Sequence, residues 1–194
     1  MLLRIANSHL RFPRREVPGF HLHPAKANSS DENQAPQETA KSDASLQEQI
    51  SKLQQQISTL KGIKQQQRVQ NKALSNAQRQ GASLTREKRQ DLNDEQAKIL
   101  QASQALQRQL QGKQLASAQQ GLSQANSNMQ NSSQALKQEN AELAHDEGQR
   151  AYEALRSSEL ALNNALYDLA DQAMQALQQQ AQAARDDRPA AADS

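Results

Sequence analysis

The chain of 194 residues contains no cysteine and no tryptophan, and only 2% of its residues are aromatic. The absence of cysteine excludes a disulfide framework, a thiolate metal site and a cysteine nucleophile. Aromatic and branched aliphatic side chains supply most of the apolar area whose burial offsets chain entropy, at about 25 cal/mol per Å². Because much of the apolar content here is alanine, we expect thin helical packing or disorder, and no thick multilayer core.

Long apolar runs are also missing from the sequence. No stretch approaches the roughly 18 consecutive apolar residues of a membrane-spanning helix, so we expect no transmembrane segment. The N-terminus lacks the apolar core of a secretory signal peptide. These absences favour a cytoplasmic protein, with secretion independent of a signal peptide as the alternative.

Glutamine is abundant instead, with 34 of the 194 residues. Together with alanine, leucine, lysine, arginine and glutamate it favours helix at low intrinsic cost per residue. A glutamine-rich tract is equally compatible with disorder. Apolar periodicity distinguishes helix from disorder, so we expect the chain to be helical where a heptad pattern is present.

Residues 1–44 are predicted to form a disordered tail, basic at its start and linker-like from 27 to 44. Four prolines interrupt any long helix there, at Pro13, Pro18, Pro24 and Pro36. Two interpretations of the first dozen residues stay open. They are a disordered tail, or a short basic amphipathic segment that serves as a targeting, membrane-surface or export signal.

A first long helix is predicted over residues 45–125. Ser45 and Glu48 have the spacing of a capping box, which would start the helix. Apolar residues follow at the alternating four- and three-residue spacing of a heptad, namely Leu46, Ile50, Leu53, Ile57 and Leu60. The same register is mostly polar from 61 to 91, where we expect a weakly held helix, and apolar residues return at Leu92.

A turn is predicted at residues 126–132, which are rich in asparagine and serine, followed by a second amphipathic helix over 133–185 and a disordered tail over 186–194. The heptad positions of the second helix include Leu155, Leu162, Leu166 and Leu169. Beside them, Leu160, Tyr167 and Met174 recur every seven residues. This apolar face is wider than a two-stranded coiled coil needs, which indicates a bundle or more than one neighbour.

The fold prediction is therefore an all-α, elongated coiled coil that forms a long helical hairpin, with a disordered N-terminal tail. If the turn is centred near residue 129, Leu92 lies opposite Leu166 and residues 46–60 extend past the end of the second helix. Such an unpaired apolar row would be an interaction site. Parallel pairing of two copies along 46–106 stays open as an alternative.

Charge is segregated along the chain. The stretch 61–91 has eight basic residues and two acidic ones, which makes it a candidate for contacts with anions. The basic residues are Lys61, Lys64, Arg68, Lys72, Arg79, Arg86, Lys88 and Arg89. Since no aromatic side chains are interleaved for base stacking, a contact with an acidic helix is favoured over nucleic acid.

Catalytic, cofactor-binding and metal-binding residues are all predicted to be absent. His21 and His23 provide two potential ligands, whereas a zinc site needs a third and usually a fourth. His145 and Asp146 are fragments of a triad without the water-excluding pocket that a triad requires. We therefore expect no enzyme.

Three functions follow from these observations. The first is a non-enzymatic structural or adaptor protein that self-associates and binds protein partners through helix–helix contacts. Its predicted partner-binding residues are Leu46, Ile50, Leu53, Ile57, Leu60, Leu155, Leu162, Leu166 and Leu169. The alternatives are a secreted helical component or effector of a bacterial, type III-like export apparatus, and a salt-sensitive binder of nucleic acid or anionic surfaces.

Overall fold

A computed structural model of the chain describes the backbone of residues 35–79 and 84–186, and the side chains of 44–79 and 84–185. Most of the predicted N-terminal tail and residues 187–194 lie outside the described residues. The described part is helical apart from its turns and has no strand, which confirms the all-α part of the fold prediction. The helices are α1 Ala35–Arg79, α2 Arg86–Gln109, α3 Ala116–Lys137 and α4 Ala141–Asp186, with a 3₁₀ turn Lys113–Leu115 before α3.

The four helices form an antiparallel bundle in which each helix packs on its neighbours in the chain and α4 closes the ring against α1. Pairs of distant residues show the antiparallel direction. Gln56 donates to the carbonyl oxygen of Gln109 at 3.2 Å, and Gln70 donates to that of Leu92 at 2.8 Å. Over residues 35–186 the described helices therefore reverse direction three times, whereas the predicted helical hairpin reverses once.

The predicted turn at 126–132 lies inside α3. Its asparagine and serine side chains bond to neighbouring helices and do not compete for the local backbone. Asn126 Nδ2 donates to Gln107 Oε1 at 2.8 Å, and Ser132 Oγ donates to the carbonyl oxygen of Ala144 at 2.7 Å. Small polar residues that resemble a turn in the sequence are here part of the helix packing.

The chain turns at three other places, so the predicted long helix over 45–125 is divided between α1, α2 and the start of α3. Thr85 caps α2, since its hydroxyl accepts from the amide three residues later at 3.2 Å. Gly112 has φ +112°, a left-handed conformation that favours glycine, between α2 and the 3₁₀ turn. Glu139 has φ 61°, and the following Asn140 accepts from the amide of Leu143 at 3.0 Å to start α4.

The first helix begins ten residues before the predicted capping box. Ala35 starts α1, and Ser45 lies well inside it, where its hydroxyl accepts from Gln49 Nε2 at 3.3 Å. Pro36 stands in the first turn, where the amide hydrogen that proline lacks would have no helical partner. The predicted linker 27–44 is therefore helical from residue 35 onward.

Small residues at the α3–α4 contact let a chain with few aromatics build a close-packed core. Ala118, Gly121 and Ala125 of α3 are buried, as are Ala151 and Ala154 of α4. A Cβ atom added at Gly121 would collide with the hydroxyl of Ser158, and it would lie 3.1 Å from the carbonyl oxygen of Ala154. Leucines fill the wider parts of the bundle, and the largest fully buried ones include Leu60, Leu74, Leu92, Leu106, Leu122, Leu136, Leu155 and Leu162.

The outer helices are almost twice as long as the inner pair. α1 and α4 have 45 and 46 residues, or about 68 Å each at about 1.5 Å per residue, whereas α2 and α3 have 24 and 22. Because the connection between α2 and α3 lies beside Gln49, Leu53 and Leu169, α1 before residue 49 and α4 after residue 169 continue alone. We call this two-helix part the extension and the remaining four-helix part the body.

Candidate functional site

The predicted partner-binding residues lie inside the chain's own bundle. Leu46, Ile50 and Leu166 are partly buried and pack on the core. The others are buried in it, namely Leu53, Ile57, Leu60, Leu155, Leu162 and Leu169. The predicted unpaired row at 46–60 is therefore not free, since α4 runs antiparallel beside it and supplies a second apolar row that covers it.

The polar positions that continue the heptad of α1 also face inward. Gln67 and Gln96 are both fully buried and exchange amide hydrogen bonds, with Gln96 Nε2 donating at 2.9 Å and Gln67 Nε2 donating at 3.4 Å. Gln67 Nε2 also donates to Asn71 Oδ1 at 2.9 Å, and Lys64 forms an ion pair with Glu159. Buried polar positions of this kind fix the register between helices.

On the side away from α2 and α3, a groove of about 560 Å³ runs between α1 and α4. We call it the outer groove. Its α1 side contains three cationic side chains, and its α4 side contributes neutral or weakly basic hydrogen-bonding groups. It is lined by Arg68, Asn71, Lys72, Ser75, Asn76 and Arg79 of α1 and by His145, Gln149 and Tyr152 of α4.

The three cations of the outer groove have no anionic partner in the described part of the chain. Within the described ranges no carboxylate forms an ion pair with Arg68, Lys72 or Arg79, and no acidic residue lines the groove. They lie at i, i+4 and i+11 on one helix, so they follow a line about 16 Å long. The outer groove is therefore a concave, uncompensated cationic surface, which attracts anionic ligands.

A buried amide group faces this surface. Asn71 is only 3% exposed, yet it lines the outer groove. Its Oδ1 accepts from Gln67, whereas its Nδ2 has no hydrogen-bond partner in the described part of the chain. Gly148 of α4 leaves room for this side chain, because a Cβ atom there would collide with Asn71 Oδ1. An unpaired buried donor is costly in folding, and the Nδ2 atom itself is closed to solvent.

The structure brings together only part of the predicted anion-contacting set. Lys64 is paired with Glu159, and Arg89 is bonded to Glu139 and to the carbonyl oxygen of Leu84. Exposed side chains that do not line the outer groove are Lys61, Arg86 and Lys88. The sequence analysis did not predict the α4 side of the groove. Only the antiparallel contact of α1 with α4 brings these α4 residues near Arg68. The available signal was the spacing of His145, Gln149 and Tyr152, which places them on one helical face.

An exposed apolar row continues along the same edge of α4. Leu160, Tyr167 and Met174 are 64%, 70% and 57% exposed, respectively, and they recur at seven-residue intervals. A second groove, of about 530 Å³, lies between this row and the outer groove, and it is lined by Lys64, Glu153, Arg156, Ser157, Glu159, Leu160 and Asn163. Along the outer face of α1 and α4, the three cations of the outer groove are therefore followed by a stretch of mixed charge and then by the apolar row.

The remaining predictions about chemistry concern small groups of residues. His145 Nδ1 lies 3.5 Å from Asp146 Oδ1, and the Asp146 side chain is 59% exposed. No three potential metal ligands cluster among the residues whose structure is described, and none of the described helices has an apolar stretch that could cross a membrane. His21 and His23 lie outside the described residues.

No family model, curated protein or solved structure matches this chain.

Proposed function

We propose that the chain is a non-enzymatic structural or adaptor protein that self-associates and binds other protein chains through helix–helix contacts. The observation that carries this proposal is the extension. There α1 and α4 continue beyond the two helices that cover them in the body. A pair of amphipathic helices with one side uncovered is a surface that further helices complete.

The uncovered side of the extension follows from helical periodicity. Leu169 is buried and shares a small cavity with Gly112 and Leu115, which connect α2 to α3. Ala173 and Ala176 follow Leu169 by four and seven residues, so they continue the face of α4 that other helices cover in the body. Both are half-buried and small, which allows a further helix to approach closely.

We propose that a second copy's extension occupies this side. Two extensions related by a two-fold axis would together supply the four helices that one body supplies by itself. About 25 Å of such contact would bury on the order of 1,000 Å² in total, which is at the lower end for a specific complex. We therefore expect a reversible dimer that dissociates at micromolar concentrations.

Replacing Ala176 with arginine should abolish this self-association, because a long cationic side chain would separate the two extensions. Sedimentation velocity of the full chain from about 1 to 200 µM measures the effect. We expect a concentration-dependent shift toward dimer for the unsubstituted chain and a monomer for Ala176→Arg.

Gln175→Arg is the matched control, since it introduces the same charge one residue away at an exposed position. Circular dichroism would verify that both variants keep their helix content. A full chain that stays monomeric over the whole range, or equal dissociation by both substitutions, would contradict the proposed self-association.

Contact with nucleic acid or another anionic surface is the second candidate function. The three unpaired cations of the outer groove favour it. Their number predicts a binding constant that falls steeply with salt through counterion release. The binding measurements described below for the outer groove include a nucleic-acid probe and so decide between the two candidates.

A further inference from the structure

The outer groove and the exposed apolar row form one continuous face of the molecule. Along α4, positions 145, 149, 152, 156, 160, 163 and 167 advance in steps of three and four, which keeps them on one side of a helix. The groove lined by Lys64, Arg156 and Leu160 occupies the stretch of this side between the outer groove and the apolar row. From His145 to Tyr167 this face is about 33 Å long at about 1.5 Å per residue.

We propose that this face binds an acidic amphipathic helix of a partner protein, with its carboxylates on Arg68, Lys72 and Arg79 and its apolar side chains on Leu160 and Tyr167. This inference rests on the proposed adaptor function and names the partner's chemistry. The occupant is a helix of about 22 residues, the length that covers 33 Å.

Charge spacing supports a helical occupant. The three cations lie at i, i+4 and i+11 on α1, so an antiparallel or parallel partner helix places carboxylates opposite them when they have the same spacing. Arginine binds carboxylates with a two-pronged geometry, and lysine adds a point charge. The side chains of Gln149 and Tyr152 line the same groove and add further hydrogen-bonding groups.

The apolar end of the face distinguishes this occupant from a nucleic acid. A nucleic acid has a negative charge on every phosphate, so beyond the cations its backbone would meet Glu153, which lines the second groove. Beyond Glu153 it would cover Leu160, Tyr167 and Met174, of which only Tyr167 has a ring for stacking on a base. An amphipathic helix satisfies both ends, because heptad-spaced apolar side chains match Leu160, Tyr167 and Met174.

The test is fluorescence anisotropy with the full chain and a labelled helical peptide of about 22 residues. The peptide has glutamate at i, i+4 and i+11 and leucine at heptad positions toward the other end. A second peptide replaces each glutamate with glutamine, and a labelled oligothymidine of about 20 nucleotides is the nucleic-acid probe. At about 50 mM salt, we expect the glutamate peptide to bind at least about tenfold tighter than the glutamine peptide or the oligothymidine.

Two sets of variants then locate the binding. Lys72→Glu combined with Arg79→Glu should weaken binding of the glutamate peptide by about tenfold or more, because two attractive contacts become repulsive. Leu160→Ala combined with Tyr167→Ala should weaken it by a similar factor without changing the chain's charge. Lys98→Glu combined with Lys113→Glu is the control, since both lysines are exposed outside this face and the net charge changes equally.

Several results would overturn the inference. The first is no binding of the glutamate peptide up to about 1 mM. The second is an equal loss of peptide affinity in the Lys98→Glu, Lys113→Glu control. The third is tighter binding of the oligothymidine than of the peptide, abolished by Lys72→Glu combined with Arg79→Glu. Sedimentation of the same variants separates this failure from that of the proposed function. A chain that still dimerises through Ala176 but does not bind the peptide contradicts the partner's chemistry alone.

Discussion

Replacing Leu162 with alanine is expected to lower the free energy of unfolding by about 2–5 kcal/mol. Leu162 is fully buried in the main core cluster, next to the α1–α4 and α3–α4 contacts. Its loss removes apolar contacts and leaves a cavity that long, continuous helices cannot easily close. Urea denaturation followed by circular dichroism measures this loss through the transition midpoint.

Leu160→Ala is the matched control for that substitution. Leu160 lies two residues away on the same helix but is 64% exposed. Alanine also has the higher helix propensity, so the stability should change by less than about 0.5 kcal/mol. Equal losses at the two positions would contradict the assignment of Leu162 to the inside of the bundle and Leu160 to the outer face.

A pair of glycine substitutions should change stability in opposite directions. Gly121→Ala is expected to lower the free energy of unfolding by about 1–3 kcal/mol, because the added Cβ would collide with Ser158 and press on the backbone of Ala154. Gly62→Ala is expected to raise it by up to about 1 kcal/mol. The Cβ there meets no atom within 4 Å, and alanine is the better helix former.

The same denaturation measurement compares the two variants. In an isolated helix both substitutions would stabilise, since only helix propensity would act. A gain in stability at Gly121 would therefore mean that α3 and α4 do not approach as closely as the structure shows. A loss at Gly62 would mean that this side of α1 is covered by something else.

The helical class of the fold could be predicted from the sequence because the evidence for it is local. Glutamine and alanine favour helix wherever they occur in the chain. The heptad spacing from Leu46 to Leu60 defines the apolar face of the first helix. That face does turn inward, with Leu53, Ile57 and Leu60 buried. The spacing does not determine whether a helix of the same chain, of a second copy or of another protein covers this face, because any complementary apolar row can cover it.

The number of turns could not be predicted for a physical reason. Asparagine and serine between 126 and 132 have the composition of a loop, yet Asn126 and Ser132 hydrogen-bond across to α2 and α4 from inside α3. The true reversals depend on single residues. Gly112 adopts φ +112°, and Thr85 and Asn140 cap the helices that follow them. Such residues also occur elsewhere in the chain without breaking a helix, as Gly121 and Gly148 show.

Only the cationic side of the candidate site could be predicted from the sequence, because the rest depends on contacts between distant helices. Arg68, Lys72 and Arg79 belong to a basic stretch that charge counting finds. Their selection from eight basic residues depends on tertiary contacts, because Lys64 and Arg89 are neutralised by Glu159 and Glu139 from distant parts of the chain. The α4 side of the groove comes from the contact between α1 and α4, so counting charges along one helix does not find it.

The central claim is that α1 and α4 of one chain pair with each other along the extension, so that Leu46 and Ile50 pack within the chain. Because the chain has no cysteine, spin labels at Gln47→Cys and Gln175→Cys give an unambiguous distance by pulsed electron paramagnetic resonance. Dilution with unlabelled chain removes distances between copies. Both positions are exposed on adjacent helices, so we predict a distance below about 25 Å. A single long hairpin turning near residue 129 would instead separate the labels by about 36 residues of helix, and a distance of about 50 Å would contradict the account.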